Sequence, residues 1–230
     1  MNKEDLRAHI KYLSGTIPPP VLLVAAAKTR TADEVRIAIE GGILAIGYNY
    51  VQEAEAMQKA LSMGKEQKSY RVKWHLIGHL QRNKAKKAVQ LFDMIETIDS
   101  PRIAKTVNSH CEALGKILPV LIEINSGKES NKTGALPTDV PSLVRETAKL
   151  KHLKVQGLMT MGPRFGDPEK ARPYFRLTKS LFDQLKSENI PNTDMKYISM
   201  GMSNTYQQAI EEGANIVRIG TKLFGERSFD

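Results

Sequence analysis

A (β/α)8 barrel preceded by one extra helix is the fold class that this 230-residue sequence predicts. Short apolar runs rich in strand-forming residues alternate with helical patterns from one end to the other, which is the signature of a parallel sheet with helical crossovers. The runs number eight. A doubly wound open sheet shows the same alternation, but eight regular repeats in a chain of about 200–250 residues fit a closed barrel better. No linker-like or low-complexity stretch splits the sequence, so residues 1–230 read as one domain.

The opening segment, MNKEDLRAHIKYLSG, is amphipathic and supplies the extra helix, and Pro18-Pro19-Pro20 is a stiff connection into the first strand. Strands are expected at 21–27, 43–47, 72–77, 94–98, 118–125, 153–161, 195–200 and 215–219. Helices are expected near 32–41, 50–64, 82–91, 101–115, 138–150, 168–188 and 203–212. Punctuation supports these divisions. Thr31 followed by Asp33 and Glu34 marks a capped helix start, and Gly41-Gly42 marks its end. Pro101 stands where proline suits a first helical turn, with Asp99 expected as a cap, and Gly213 closes the helix beginning near Ser203.

Composition narrows the class. At 41% hydrophobic and 26% charged, the chain has the makeup of an ordinary globular protein. Its one cysteine, Cys111, cannot form an internal disulfide or a cysteine-rich metal site, which fits a reducing, cytoplasmic setting. No apolar run approaches the roughly 18 residues of a membrane-spanning helix, and the first segment is not a signal peptide. The net charge of +9 suits an anionic ligand without identifying one. The densest basic stretch, Arg82 to Lys87, lacks interleaved aromatics and reads as a solvated helix face rather than a nucleic-acid groove.

In a barrel, the residues at the C-terminal strand ends meet at one mouth. Lys28 ends the first apolar run and so places a primary amine there, where desolvation favours a nucleophile toward carbonyls. Ser199-Met200-Gly201-Met202-Ser203 joins a strand to hydroxyl-rich residues, and Arg218-Ile219-Gly220-Thr221 makes a second glycine-opened turn on the next strand. Two such turns after strands seven and eight suit a phosphate. Arg218, between Val217 and Ile219, is expected to point inward and to need an acceptor or anion. His75 reads as a satisfied histidine below the mouth, and Glu123 as a paired structural carboxylate. No paired-acid, Ser-His-Asp or metal-ligand spacing emerges, so no catalytic or metal-binding residue is assigned. A lysine facing a phosphate nest suits either pyridoxal 5′-phosphate (PLP) or a sugar phosphate in an aldolase-like reaction. The residue pattern alone leaves both open.

Several segments, in order, resemble one known family. VLLVAAAKTRT is similar to its lysine-bearing first strand and GYNYVQE to its Gly-Glu-Asn-Tyr-Val-Gln-Glu segment. WHLIGHLQRNK, INSGKESNKTG, GLMTM, SMGMS and VRIGTKLFGER also match. The sequence thus resembles the pyridoxal phosphate homeostasis protein family over roughly residues 20–227. The resemblance implies an alanine-racemase-like, fold-type III barrel with PLP as a Schiff base on Lys28. It implies Asn49 beside the cofactor ring and Arg218 near the pyridine nitrogen, leaving that nitrogen unprotonated. It also implies a phosphate held by Ser203, Gly220 and Thr221, helped by the backbone around Met200 and Gly201.

The function so implied is a PLP carrier in vitamin B6 homeostasis, with little or no catalysis and no membrane or nucleic-acid partner. Racemases of this fold add a second domain bearing another catalytic base, for which a chain ending at Asp230 is expected to have no room. The sequence departs from the family at Ala26-Ala27 (usually Val-Ser), Tyr48 (usually Glu) and Thr205 (usually Asp), all expected at the mouth. Those departures raise two alternatives, a weak racemase-like amino-acid enzyme and a remodelled pocket that uses Lys28 or Tyr48 or no longer holds PLP. A third class is a scaffold with an empty mouth.

Overall fold

The computed structural model describes residues 3–62, 72–127, 133–162 and 166–226. Eight parallel strands close on themselves in chain order: β1 (Leu22–Ala26), β2 (Ala45–Tyr48), β3 (Lys73–Leu76), β4 (Met94–Ile98), β5 (Leu118–Ile124), β6 (Leu153–Thr160), β7 (Thr193–Ser199) and β8 (Ile216–Ile219). The ring is completed by β8 pairing β1, with Val24 opposite Arg218. Around it run α2 (Ala32–Glu40), α3 (Val51–Ser62), α4 (Ala85–Leu91), α5 (Pro101–Glu112), α6 (Val140–Ala148), α7 (Arg172–Ser187), α8 (Tyr206–Glu211) and α9 (Thr221–Phe224), with α1 (Lys3–Thr16) in front. Every expected strand is present within three residues at either end. The four-residue α9 has no counterpart in the sequence-based expectation, because a single turn is too short to show a 3.6-residue period.

Alternation along the strands explains the interior. On β1, Leu23 and Ala25 pack outward with the helices, whereas Leu22, Val24 and Ala26 pack into the barrel. Ala45, Met94, Leu121, Met159, Tyr197 and Ile216 join that inner cluster. Gly47 belongs to the inner face too: a Cβ there would come within 2.8 Å of both Val24 and Ile77. The inner plug is small and apolar at its base. Two residues further along their strands, Met94, Leu121, Tyr197 and Ile216 give way to Glu96, Glu123, Ser199 and Arg218, so polarity rises toward the C-terminal mouth.

The turn that follows β1 is tightly specified. Thr31 caps α2: its Oγ1 accepts the Glu34 N–H at 3.3 Å, and the Glu34 carboxylate accepts the Thr31 N–H at 2.8 Å. Arg30 donates to the carbonyls of Phe224 and Gly225 and pairs with Glu34, tying this turn to α9. The helix α1 buries Leu6, Ile10 and Leu13, a helical-period stripe, against α2 and α9. Before α5 the expected cap is not made. Ser100 occupies the N-cap position without a side-chain bond, and the Asp99 carboxylate instead meets His79 Nδ1 at 3.1 Å.

Between β6 and β7 the register shifts from Val155 to Gly157, and at Gly157 the chains approach closely. With φ at +148°, an added Cβ would lie 1.8 Å from the Tyr197 carbonyl oxygen. Gly157→Ala is therefore expected to cost about 3 kcal/mol or more, read as a lowered urea midpoint.

Candidate functional site

The strand ends enclose one wide cavity of about 1420 Å³ at the C-terminal mouth. Of the residues singled out in the sequence, Lys28, Asn49, Ser203, Arg218, Gly220 and Thr221 line it. Met200 and Gly201 do not. By alternation Ser199 faces inward and Met200 outward, where its side chain is fully buried and its N–H is spent on the Ile216 carbonyl at 3.1 Å. Gly201 serves close packing instead: at φ +90° an added Cβ would meet that of Ala209 at 2.5 Å.

Lys28 lies two residues beyond the inward-facing Ala26 and is half-buried, with Nζ 5.3 Å from the centre of the Tyr50 ring. Among the described residues no carboxylate pairs with it. Asn49 is seated by Gly78, whose missing Cβ would fall 2.5 Å from the Asn49 carbonyl oxygen. Ser203 Oγ accepts N–H groups from Gly220 and Lys222, each at 3.2 Å, which leaves its hydroxyl hydrogen available to another acceptor. Ser203, Gly220 and Thr221 thus form one polar wall of the cavity, with Lys28 and Arg218 lining it as well.

Arg218 is held from below by a buried chain of bonds. Its guanidinium donates to Ser199 Oγ at 2.5 Å and to the Thr160 carbonyl at 2.8 Å. Ser199 donates to Glu96 at 2.5 Å, and the other Glu96 oxygen takes the Nδ1 of His75 at 2.6 Å. Glu96 is completely buried. Burial alone would raise its pKa, but the hydrogen bond and charge of His75, then Arg218 and Ser199, outweigh it and hold the carboxyl below the usual range. His75 is therefore a satisfied interior histidine, as expected. Glu96 was missed, although an acid inside the run Met94–Ile98 is itself a signal that something buried must answer it.

Three positions expected at the mouth lie elsewhere. Tyr48 points outward and stacks on Trp74, ring centres 5.9 Å apart, with its hydroxyl buried and unpartnered among the described residues. Burial, with the charge of Glu53, pushes that phenol above its ordinary pKa, and the residue does not line the cavity. Ala27 is packed in the outer core, and Thr205 is buried with its hydroxyl accepting the Met202 N–H at 3.2 Å. Of the four departures only Ala26 reaches the cavity. Glu123 also differs from expectation. Among the described residues it has no charged partner: it accepts the Thr133 hydroxyl at 2.8 Å through Oε1, while no described donor reaches the buried Oε2.

This arrangement of strands and helices is that of the barrel domain of alanine racemases. The family model described as "Alanine racemase, N-terminal domain" matches residues 1–228. The solved alanine racemase of Clostridium difficile 630 shares the fold alone, with TM-score 0.76 and 14% identity over 99% of this chain and 57% of that one. The match to the pyridoxal phosphate homeostasis protein of Aquifex aeolicus is 39% identical over 207 residues, 90% of this chain and 87% of that protein. The solved structure of PipY from Synechococcus elongatus PCC7942 with PLP bound aligns at TM-score 0.85 and 30% identity, over 96% of this chain and 100% of that one. The chain belongs to the pyridoxal phosphate homeostasis protein family. Among its described residues no helix is long and apolar enough to cross a membrane.

Two outcomes are expected from this geometry. Tyr48→Phe removes a buried hydroxyl that has no partner among the described residues and should raise stability by about 1 kcal/mol, seen as a higher urea midpoint with unchanged ligand binding. Glu96→Gln leaves Arg218 without its counter-charge and should cost about 3–5 kcal/mol. Because the folded-state pKa of Glu96 lies below its ordinary 4.5, its stabilisation is complete above that value and lost as pH falls through the folded one. Denaturation of wild type across that window should show this loss, and Glu96→Gln should lack it.

Proposed function

We propose that this protein holds and releases PLP in the barrel mouth, with Lys28 as the attachment point and no strong reaction of its own. The observation that carries the reading is the meeting of Lys28, Arg218 and the Ser203–Gly220–Thr221 wall in one cavity of a chain whose relatives are pyridoxal phosphate homeostasis proteins. The donor set fits the cofactor. A primary amine unpaired by any described carboxylate suits an aldehyde, and a free hydroxyl hydrogen on Ser203 beside Gly220 and Thr221 suits a phosphate. PLP supplies a carbonyl that condenses with primary amines and a ring that can accept electrons.

Each residue has a role in this reading. Lys28 offers its amine from a turn fixed by the Thr31–Glu34 capping box. Ser203, Gly220 and Thr221 would hold the phosphate, and Asn49, which lines the same cavity, would orient the ring. Arg218 keeps its proton, since a guanidinium does not titrate in proteins, and a ring nitrogen held near it would stay unprotonated, which would weaken the ring as an electron sink. The positions of Ala27, Tyr48 and Thr205 away from the cavity favour a retained site over a remodelled one. PLP titration should produce a visible absorbance band, and borohydride reduction should leave a mass increment on the peptide containing Lys28. Lys28→Ala should lose both, with its fold preserved by circular dichroism. A wild-type protein showing neither signal would overturn the assignment.

A further inference from the structure

Among the described residues, Glu123 is the acid of the barrel interior that the arrangement above leaves with an oxygen unanswered. It lies on β5, two residues beyond the apolar Leu121, and lines the same cavity as Lys28 and Arg218. Its side chain is almost wholly shielded, at 2% exposure. One oxygen is satisfied by Thr133, whereas no donor among the described residues reaches the other. Glu96, equally buried, shows what a stable interior carboxylate looks like here: both of its oxygens are bonded and a guanidinium stands 3.9 Å away. A buried carboxylate lacking such partners is costly, and the simplest remedy is a proton on the free oxygen. A carboxylic acid so kept becomes a hydrogen-bond donor.

The surroundings act in the same direction. Burial is the largest influence and raises the Glu123 pKa; the Thr133 hydroxyl opposes it. Asp99, after β4, raises it further, while Arg218 on β8 and His79 after β3 pull it down. Facing it from β6 are Met159 and Thr160, which carry no charge. The remaining ionisable groups of the cavity among the described residues are Lys28, Tyr50, Tyr174 and Glu226. An anionic ligand entering this space adds negative charge near Glu123 and makes its ionised form still less favourable.

We propose that Glu123 is a ligand-binding residue of this cavity, donating a hydrogen bond from a protonated Oε2 to an oxygen of the anionic ligand. The inference rests on the PLP reading above and adds to it a proton: ligand binding takes one up between the free and bound titration midpoints of Glu123. The consequence is a preference for ligands that present an oxygen acceptor at this wall over ligands that present an ammonium group. As pH rises through the interval between the two midpoints, wild-type affinity for PLP should fall by about tenfold per pH unit more than that of Glu123→Gln, whose amide donates without titrating.

Two measurements test this. First, the Glu123 carboxyl carbon is followed by NMR in the wild-type protein, with and without PLP. Its midpoint should lie above the ordinary carboxylate value and move higher with PLP; an ordinary midpoint unmoved by PLP would overturn the proposal. Second, PLP affinity and proton uptake are measured by calorimetry in two buffers of different ionisation enthalpy. Uptake should be about one proton greater in wild type than in Glu123→Gln within the interval. Equal uptake and parallel pH profiles, with PLP bound by both proteins, would overturn the role of Glu123 and leave the PLP reading standing. Absence of PLP binding to wild type at every pH would overturn both.

Discussion

A guanidinium carried on the inner face of a closed barrel has to find its counter-charge inside the barrel, because eight strands and a ring of helices shut out water. Arg218 is in that position. Its answer comes from four other strands: Ser199 on β7, Glu96 on β4, His75 on β3 and the Thr160 carbonyl on β6. A one-residue slip of any of these strands would turn its contribution outward and strand a buried charge. The polar chain therefore ties the register of half the barrel to the position of one arginine. The apolar plug beneath it could tolerate repacking, whereas the charge network could not lose a member cheaply.

The same alternation that places Arg218 also places Lys28, and with a different degree of restraint. Lys28 continues the inward-facing series Leu22, Val24, Ala26, but it emerges beyond the last ladder pair of β1 and reaches only half burial. Arg218 is fixed by three donor contacts of its own side chain. Lys28 touches the Tyr50 ring and is otherwise steered by its backbone, through the capping box of α2 and the clasp of Arg30 on α9. A rigid cation and a steerable amine in one cavity suit different tasks. The first can fix a ligand's electronic environment, and the second can engage and leave a carbonyl.

The fold was legible because its signals are repetitive: eight apolar runs, each bounded by glycine, proline or a capped helix start. The mouth was legible in part. Lys28, Ser203 and Arg218 stand at strand ends, where position alone suggests exposure to a ligand. Errors came from treating neighbours in sequence as neighbours in space. Met200 and Tyr48 each lie one residue from an inward-facing position and consequently point the opposite way. Gly201 is conformationally demanding for the sake of α8, not of a ligand. The Asp99 carboxylate was assigned to a local cap, yet it found a partner across the loops in His79, which no short-range pattern encodes. Glu96 and Glu123 look alike in sequence, single acids in apolar strands. Only three-dimensional partners separate one that is bonded at both oxygens from one that, among the described residues, is bonded at a single oxygen.

That separation bears on how the cavity balances charge. Among the described residues, Lys28 and Arg218 bring two cations to its walls, and Glu123 with the exposed Glu226 brings two acids. Were all four ionised, their charges would cancel and these described residues together would offer a dianionic phosphate no net attraction. Glu96 already offsets the charge of Arg218 from beneath, which lowers the attraction further. A protonated Glu123 changes the sum in favour of an anion without adding a cation, and does so at the most deeply buried wall, where each charge counts most. In such a site, affinity for the ligand and the protonation of a single interior carboxyl are two descriptions of one equilibrium. A carrier built this way would hold its ligand more firmly in acid than in base, with Lys28 supplying the bond and Glu123 setting how easily it is kept.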